Sequence, residues 1–316
     1  IKVASPILFG ELAFVLHFSI IACMVHFYAP GDGREAFLYP FVCYFDCCLR
    51  EKPYLCHEMK IKEVAEALER FAPLPLQEDY DNAGLQIGLT EVEASGALLC
   101  LDVTEAVIEE AAAKGCNLIV AHHPLLFRGL KQVSDTTQVE RCVRLAVQRD
   151  IAIYAAHTNL DNARGGVNYE IAERLGLHDV DFLRPEGEGG SGLIGRLAMP
   201  EDPYSFLKRA KDAFAALCLK HNQGPARPVQ MVAVCGGSGD FLLSDAIAAG
   251  ADVFLTGEMH YHAYFGHENQ IWIGVAGHYE TEQYTIQLLR RILERDCPGL
   301  PLYETTINTN PIKYMV

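Results

Sequence analysis

The sequence predicts an α/β protein whose body is a duplicated strand–helix–strand unit with polar clusters at its strand ends. Three observations predict it. First, two glycine turns lead into short apolar runs: Gly115-Cys116-Asn117 into Leu118-Ile119-Val120-Ala121, and Gly250-Ala251-Asp252 into Val253-Phe254-Leu255-Thr256. Second, each turn follows another apolar run and a helix-like stretch: Leu98–Val103 then Thr104–Lys114, and Met231–Cys235 then Asp240–Ala249. Third, four apolar runs end in imidazole or carboxylate: Ala121-His122-His123-Pro124, Ala156-His157-Thr158-Asn159-Leu160-Asp161, Gly257-Glu258-Met259-His260-Tyr261-His262 and Gly277-His278-Tyr279-Glu280-Thr281-Glu282. Short apolar runs bounded by turn residues read as buried strands. In α/β sheets, ligands gather beyond the carboxyl ends of such strands.

In chain order, residues 1–58 do not match the rest. They are dense in aromatics and cysteine and poor in charge, and Met59 reads as a natural initiator. The expectation is a poorly structured N-terminal extension or upstream sequence read in frame, with a membrane anchor as the rival and a packed native segment as the third reading. Pro6–Pro30 is apolar enough to span about 30 Å as a helix but carries Glu11, His17 and His26. From Met59 an amphipathic helix begins, with Val64, Leu68 and Phe71 at helical spacing. The strand–helix–strand unit follows, and Ile151–Ala156 supplies a further strand. Asn159–Asn168 reads as a polar loop in which Gly165-Gly166 permits close backbone approach. Arg184–Gly192, rich in glycine with a proline, reads as an exposed linker and the main boundary. The second half starts with a helix within Ser205–Leu219 and repeats the unit, with Ile271–Ala276 matching Ile151–Ala156. Aligning Gly115 with Gly250 sets His123 opposite Glu258. A helix over Tyr279–Arg295 and a closing strand within Leu302–Met315 complete the chain.

Composition narrows the function. Hydrophobic residues at 50% and charged residues at 21% over 316 residues describe a globular protein of about two domains. A formal net charge of −15 argues against non-specific nucleic-acid binding, which needs a basic surface, and against anionic membranes. The 11 cysteines contain no C-x-x-C pair and read as buried, reduced thiols of a cytoplasmic protein.

The strand-end residues point to a metal held by nitrogen and oxygen, with no cysteine among them. Neighbouring side chains on a strand face opposite ways, so His122 and His123 both reach one site only where the strand ends, and Pro124 marks that bend. A core histidine beside a surface histidine is the competing reading. His278 and Glu282 at i, i+4 share one helix face, whereas Glu280 points elsewhere. Asp161 on its own is more often a turn residue. Together the five suit two cations about 3.5–4 Å apart with a bridging carboxylate, Glu282 as the bridge. His157, Glu258, His260 and His262 are then left for acid–base work or for orienting ligands.

These motifs, with Tyr80-Asp81-Asn82-Ala83-Gly84-Leu85-Gln86-Ile87-Gly88, Gly236-Gly237-Ser238-Gly239, Thr256-Gly257-Glu258-Met259 and Asn310-Pro311, resemble the GTP cyclohydrolase 1 type 2 homologue family, also called Nif-three-like dinuclear metal centre proteins. The resemblance runs from Met59 to the end. It implies that His122, His123, Asp161, His278 and Glu282 hold two divalent cations (zinc, manganese, iron or cobalt). It also implies two interleaved α/β domains, 59–183 with 275–316 and an inserted 184–274, and a homohexameric ring. The implied reaction is opening of the GTP imidazole ring by metal-bound hydroxide with release of formate. Glu258, His260 or His262 would shuttle protons, and Arg128, Lys131 or Arg164 would meet the triphosphate. Read from its residues, the Gly236–Gly239 loop could offer N–H groups to an anion, although a lone glycine-rich turn is more often just a turn. A metal-dependent phosphoesterase and a non-catalytic ring acting as regulator or adaptor are the rival functions.

Overall fold

The computed structural model describes residues 59–315, and the expectations for the leading extension lie outside them. Helix α1 (Ile61–Phe71) buries Ile61, Val64, Ala67 and Leu68, and Glu63 accepts the Lys60 N–H at 2.7 Å to cap its first turn. There follow β1 (Gly84–Ile87), β2 (Ala97–Cys100), α2 (Glu105–Ala113), β3 (Leu118–Ala121), α3 (Gln138–Gln148) and β4 (Ala152–Ala155). The middle of the chain forms α4 (Thr158–Asp161), α5 (Val167–Arg174), β5 (Leu177–Glu186), β6 (Gly189–Glu201) and α6 (Pro203–Ala213). Then come β7 (Lys220–His221), β8 (Val229–Cys235), α7 (Leu243–Ala248), β9 (Val253–Thr256), β10 (Trp272–Val275), α8 (His278–Glu282), α9 (Thr285–Asp296) and β11 (Leu302–Glu304).

Two mixed sheets result, as the sequence predicts. The first has the order β1-β4-β3-β2-β11, and the second β5-β6-β8-β9-β10-β7. Each contains the same parallel triplet, β2-β3-β4 in one and β8-β9-β10 in the other. Antiparallel strands occupy three of the four edges, β1 beside β4, β7 beside β10 and the β5–β6 hairpin beside β8, while β11 closes the fourth parallel to β2. The glycine turns before β3 and β9 need left-handed backbone, φ +72° at Gly115 and +75° at Gly250, which glycine adopts without a Cβ clash.

Helices cover both faces of each sheet, because alternate strand residues are apolar on both sides. On the first sheet, Leu99, Val120 and Tyr154 pack under α1 and α9, while Leu98, Ile119 and Ile153 pack under α2 and α3. On the second, Val232, Val253 and Leu255 meet α5 and α6, while Phe254 and Ile273 meet α7. Thr104, Thr137 and Asp202 each accept a backbone N–H at the start of α2, α3 and α6, satisfying donors the helix leaves unpaired. Among the described residues no helix is long and apolar enough to cross a membrane.

Three local expectations are corrected. The segment Arg184–Gly192 is no linker: it is a tight hairpin between two long strands, turning at Gly187 with φ +56°. Its glycines serve close approach instead, since a Cβ on Gly189 would lie 2.3 Å from the Asn162 carbonyl oxygen and one on Gly190 2.6 Å from that of Arg184. Asp161 closes the short helix α4 and does not sit in an open loop; here Gly166 does permit close approach, a Cβ there falling 1.8 Å from the Leu160 carbonyl oxygen. The helix expected over 279–295 starts at His278 and is interrupted at Gln283-Tyr284, whose side chains donate to the Phe214 and Ala213 carbonyls.

Candidate metal centre

The carboxyl ends of the two parallel triplets meet at one place. Asp102 follows β2, His122 and His123 follow β3, and His157 with α4 follows β4. From the other sheet, Gly236–Gly239 follows β8, Glu258 follows β9, and Gly277 with α8 follows β10. The two adjacent histidines lean toward opposite neighbouring strands. His122 donates from Nδ1 to the Ala156 carbonyl at 2.7 Å, and His123 from Nδ1 to Asp102 Oδ1 at 2.7 Å.

Those outer contacts fix which nitrogen faces the site. A carbonyl or carboxylate only accepts, so Nδ1 carries the proton of each neutral ring and Nε2 carries the lone pair. His278 follows the same rule, with Nδ1 3.0 Å from Glu258 Oε1. Glu282 lies among the three rings: Oε2 is 2.9 Å from His123 Nε2 and 3.0 Å from His278 Nε2, and Oε1 is 3.8 Å from His122 Nε2. Asp161 Oδ1 is also 3.8 Å from His122 Nε2. The ligand atoms of His122, His123 and Glu282 all fall within 4.8 Å of one another, a group that could hold a metal ion.

Two glycines make room for this packing. A Cβ on Gly237 would lie 2.2 Å from Glu282 Oε1, and one on Gly277 2.1 Å from Glu280 Oε2. Their φ angles, +57° and +115°, also disfavour any side chain. The N–H groups of the Gly236–Gly239 turn do not await an anion as expected: Gly236, Gly237 and Gly239 donate to Asn168 Oδ1, Thr281 Oγ1 and Thr256 Oγ1.

The electrostatics ask for positive charge at the centre. Burial works against a charged His123, yet hydrogen bonds to Asp102 and Glu282 raise its pKa to about 10. His278 is likewise raised to about 9 by Glu282, against its burial. Glu282 is held well below the usual carboxylate range by the surrounding imidazoles despite being buried. Burial raises Asp161, opposed by His122 and reinforced by the Glu282 charge. His122 Nε2 is fully buried and has no hydrogen-bond partner among the described residues. Imidazolium protons meet the demand at His123 and His278 but leave His122 Nε2 orphaned, whereas a cation among these atoms meets both. The donor set of imidazole nitrogen and carboxylate oxygen therefore fits a divalent metal.

The other expected residues fall in different places. His157 lines the site, its ring 5.4 Å from that of His122, and its Nδ1 is 2.7 Å from the buried Asp81 carboxylate. Glu258 orients His278 and accepts from Ser238 Oγ at 2.5 Å. His260 is exposed and paired with Asp240, and His262 is exposed among Tyr261 and Phe265. Arg164 is committed to Tyr169 and Asp181, and neither it nor Arg128 or Lys131 lines the cavity over the site. Glu280 points away from the site but is buried, accepting from Asn310 of the C-terminal tail.

Sequence reasoning missed Asp102, Asp81 and Glu78. Asp102 carries the signal used for the others, an acid directly after an apolar run; it also accepts from Thr309 Oγ1 at 2.6 Å. Asp81 and Glu78 precede β1 and carry no such signal. A cavity of about 450 Å³ opens over the ligands, walled by Glu78, Tyr80, Phe127, His157 and Phe241.

Comparison with known proteins adds lineage to geometry. The family model described as Duf34/NIF3 (NGG1p interacting factor 3) matches residues 59–311. A protein of Lactococcus lactis named GTP cyclohydrolase 1 type 2 homolog is 34% identical, covering 80% of this chain and 98% of its own length. A Clostridium acetobutylicum protein of the same name is 30% identical over 81% of this chain and 99% of its own. Among solved structures, a Staphylococcus aureus protein superposes with a TM-score of 0.76 at 25% identity, covering 82% of this chain and all of its own.

Proposed function

The chain belongs to the Duf34/NIF3 family, and from that premise we propose that it is a metal-dependent hydrolase holding two divalent cations on His122, His123, Asp161, His278 and Glu282. The candidate reaction is opening of a guanine imidazole ring with release of formate, which the name shared by its relatives supports. One observation carries the metal reading: the buried, unpartnered Nε2 of His122, its lone pair turned toward Asp161 and Glu282. When bound, such cations polarise the bond under attack and lower the pKa of water.

The remaining residues position and move protons. Asp102 and Glu258 hold the rings of His123 and His278 by their Nδ1 atoms, which fixes each Nε2 toward the centre. Asp81 does the same for His157, leaving its Nε2 as the nitrogen that takes a proton in the cavity. Self-assembly into a homohexameric ring belongs to the same reading, and light scattering tests it.

The test is to strip the full chain with a chelator, reload it with zinc, manganese, iron or cobalt, and assay formate and phosphate released from GTP. Formate released by wild type, and lost together with metal in His122→Ala and Glu282→Ala, supports the reading. Phosphate without formate makes the protein a phosphoesterase. Neither product from any reloaded form removes the enzyme reading in favour of a metal-binding regulator.

A further inference from the structure

The walls of the cavity say more about its ligand than the metal ligands do. Two exposed rings, Tyr80 and Phe127, stand 6.3 Å apart, and Phe127 meets His157 edge-on. The second half of the chain contributes Phe241, 46% exposed. Rings left open around a cavity favour a flat partner that stacks on them.

The charges point the same way. Among the described residues no lysine or arginine lines the cavity, whereas Glu78, Asp161 and Glu282 do. Of the cations outside the lining, Arg184 pairs with Asp245 at 2.5 Å and lies over the Phe241 ring, Arg164 contacts Tyr169 and Asp181, and Arg128, beside Phe127, is exposed. Two divalent cations would outweigh the three carboxylates by a single charge. That is less than the about −1.5 to −2 of one phosphoryl group, and the cavity lining holds no arginine or lysine to pair with it.

Glu78 offers the complementary feature. It lines the cavity, and its one close donor is Asn162, at 3.1 Å from Oε1, with Ser191 Oγ at the 3.5 Å limit, so each oxygen keeps a lone pair to accept with. A carboxylate accepts two parallel N–H bonds, the pattern presented by the ring N–H and amino group on one edge of guanine.

We propose that this cavity takes an unphosphorylated guanine-type purine, stacked by Tyr80, Phe127 and Phe241 and read by Glu78, and that a triphosphate is rejected. This rests on the hydrolase reading for the identity of the ring and departs from it over the phosphates.

Calorimetric titration of the manganese-loaded full chain with guanosine, inosine and GTP tests it. Guanosine is expected to bind at least tenfold more tightly than GTP. Inosine, lacking the amino group, is expected to bind about tenfold more weakly than guanosine, and Glu78→Gln should erase most of that difference with its melting temperature unchanged. GTP binding within tenfold of guanosine or tighter, a guanosine-to-inosine ratio unaltered in Glu78→Gln, or no binding by any of the three overturns the proposal. Guanosine bound with the expected preference but yielding no formate sinks the hydrolase reading and leaves this one standing.

Discussion

Replacing Glu282 with glutamine keeps the shape of the site and removes its central charge. The carboxylate is 5% exposed, with two imidazole nitrogens at 2.9 and 3.0 Å and a third at 3.8 Å. Removing one charge from a buried, paired set costs about 3–5 kcal/mol. At about 1.4 kcal/mol per tenfold, cation affinity falls by a factor of about 100 to several thousand. The consequence is a melting temperature. A cation at about 100 times its Kd stabilises the native state by about 2.7 kcal/mol, and about 2–4 °C per kcal/mol for a chain of this size makes that about 5–11 °C. The same cation concentration is at or below the variant's raised Kd, so the variant gains about 0.4 kcal/mol or less, which is about 1 °C. The assay is calorimetric unfolding of chelator-stripped protein, back-titrated with zinc, manganese, iron and cobalt in turn. Equal shifts in wild type and Glu282→Gln refute the reasoning, as does a wild type that none of the four cations stabilises.

Four further perturbations are expected to behave as follows. Asp81 has its pKa lowered to about 2 against its burial, by hydrogen bonds from His157 and Thr158; since that lies below its ordinary 3.8, its stabilisation is complete above about pH 4 and is lost as pH falls through about 2. Denaturant unfolding should therefore show wild type more stable than Asp81→Asn at pH 6 by about 1.5–3 kcal/mol, with the gap closing toward pH 2; a gap independent of pH rules this out. Gly166→Ala places a Cβ 1.8 Å from the Leu160 carbonyl oxygen and should cost at least about 1–3 kcal/mol, read as a lower melting temperature and, because Asp161 is adjacent, weaker cation binding. Phe254→Ala empties a fully buried position under α7 and should cost about 3–5 kcal/mol in denaturant unfolding without changing metal stoichiometry. Thr309→Val removes the hydroxyl that donates to Asp102 and should weaken cation binding severalfold by calorimetry while Glu280 still holds the tail through Asn310.

Local sequence made the parallel triplets legible because they are built from local signals. A glycine in left-handed backbone, four apolar residues and a polar cluster specify β3 and β9 without help from elsewhere. The same held for the i, i+4 pair: His278 Nε2 does meet Glu282 Oε2, at 3.0 Å. What stayed hidden depends on distant chain. Gly189 and Gly190 look like linker residues until Asn162 and Arg184 are seen pressing their backbone against them. Gln283-Tyr284 reads as helix until it bonds to the end of α6. Glu78 has no neighbour in sequence to announce it, because its hydrogen-bond partners, Asn162 and Ser191, come from beyond β4 and from β6.

The paired histidines show how the two sheets divide the work. Each sheet orients its own ligands from behind: Ala156 and Asp102 grip His122 and His123, while Glu258 grips His278. Neither sheet carries all five of the proposed ligands, since His122, His123 and Asp161 come with the first and the α8 pair His278 and Glu282 follows the second. A cation bound between them would therefore tie the ends of two triplets whose other contacts include the packing of α5 against α9 and the Gly190 N–H bond to the Asn162 carbonyl. Cation binding should accordingly slow amide exchange in β3 and β10 together, the far ends of the sheets less. Protection confined to one triplet would mean that the two halves are coupled by their packing alone, and that the ligands of the other half contribute nothing to affinity.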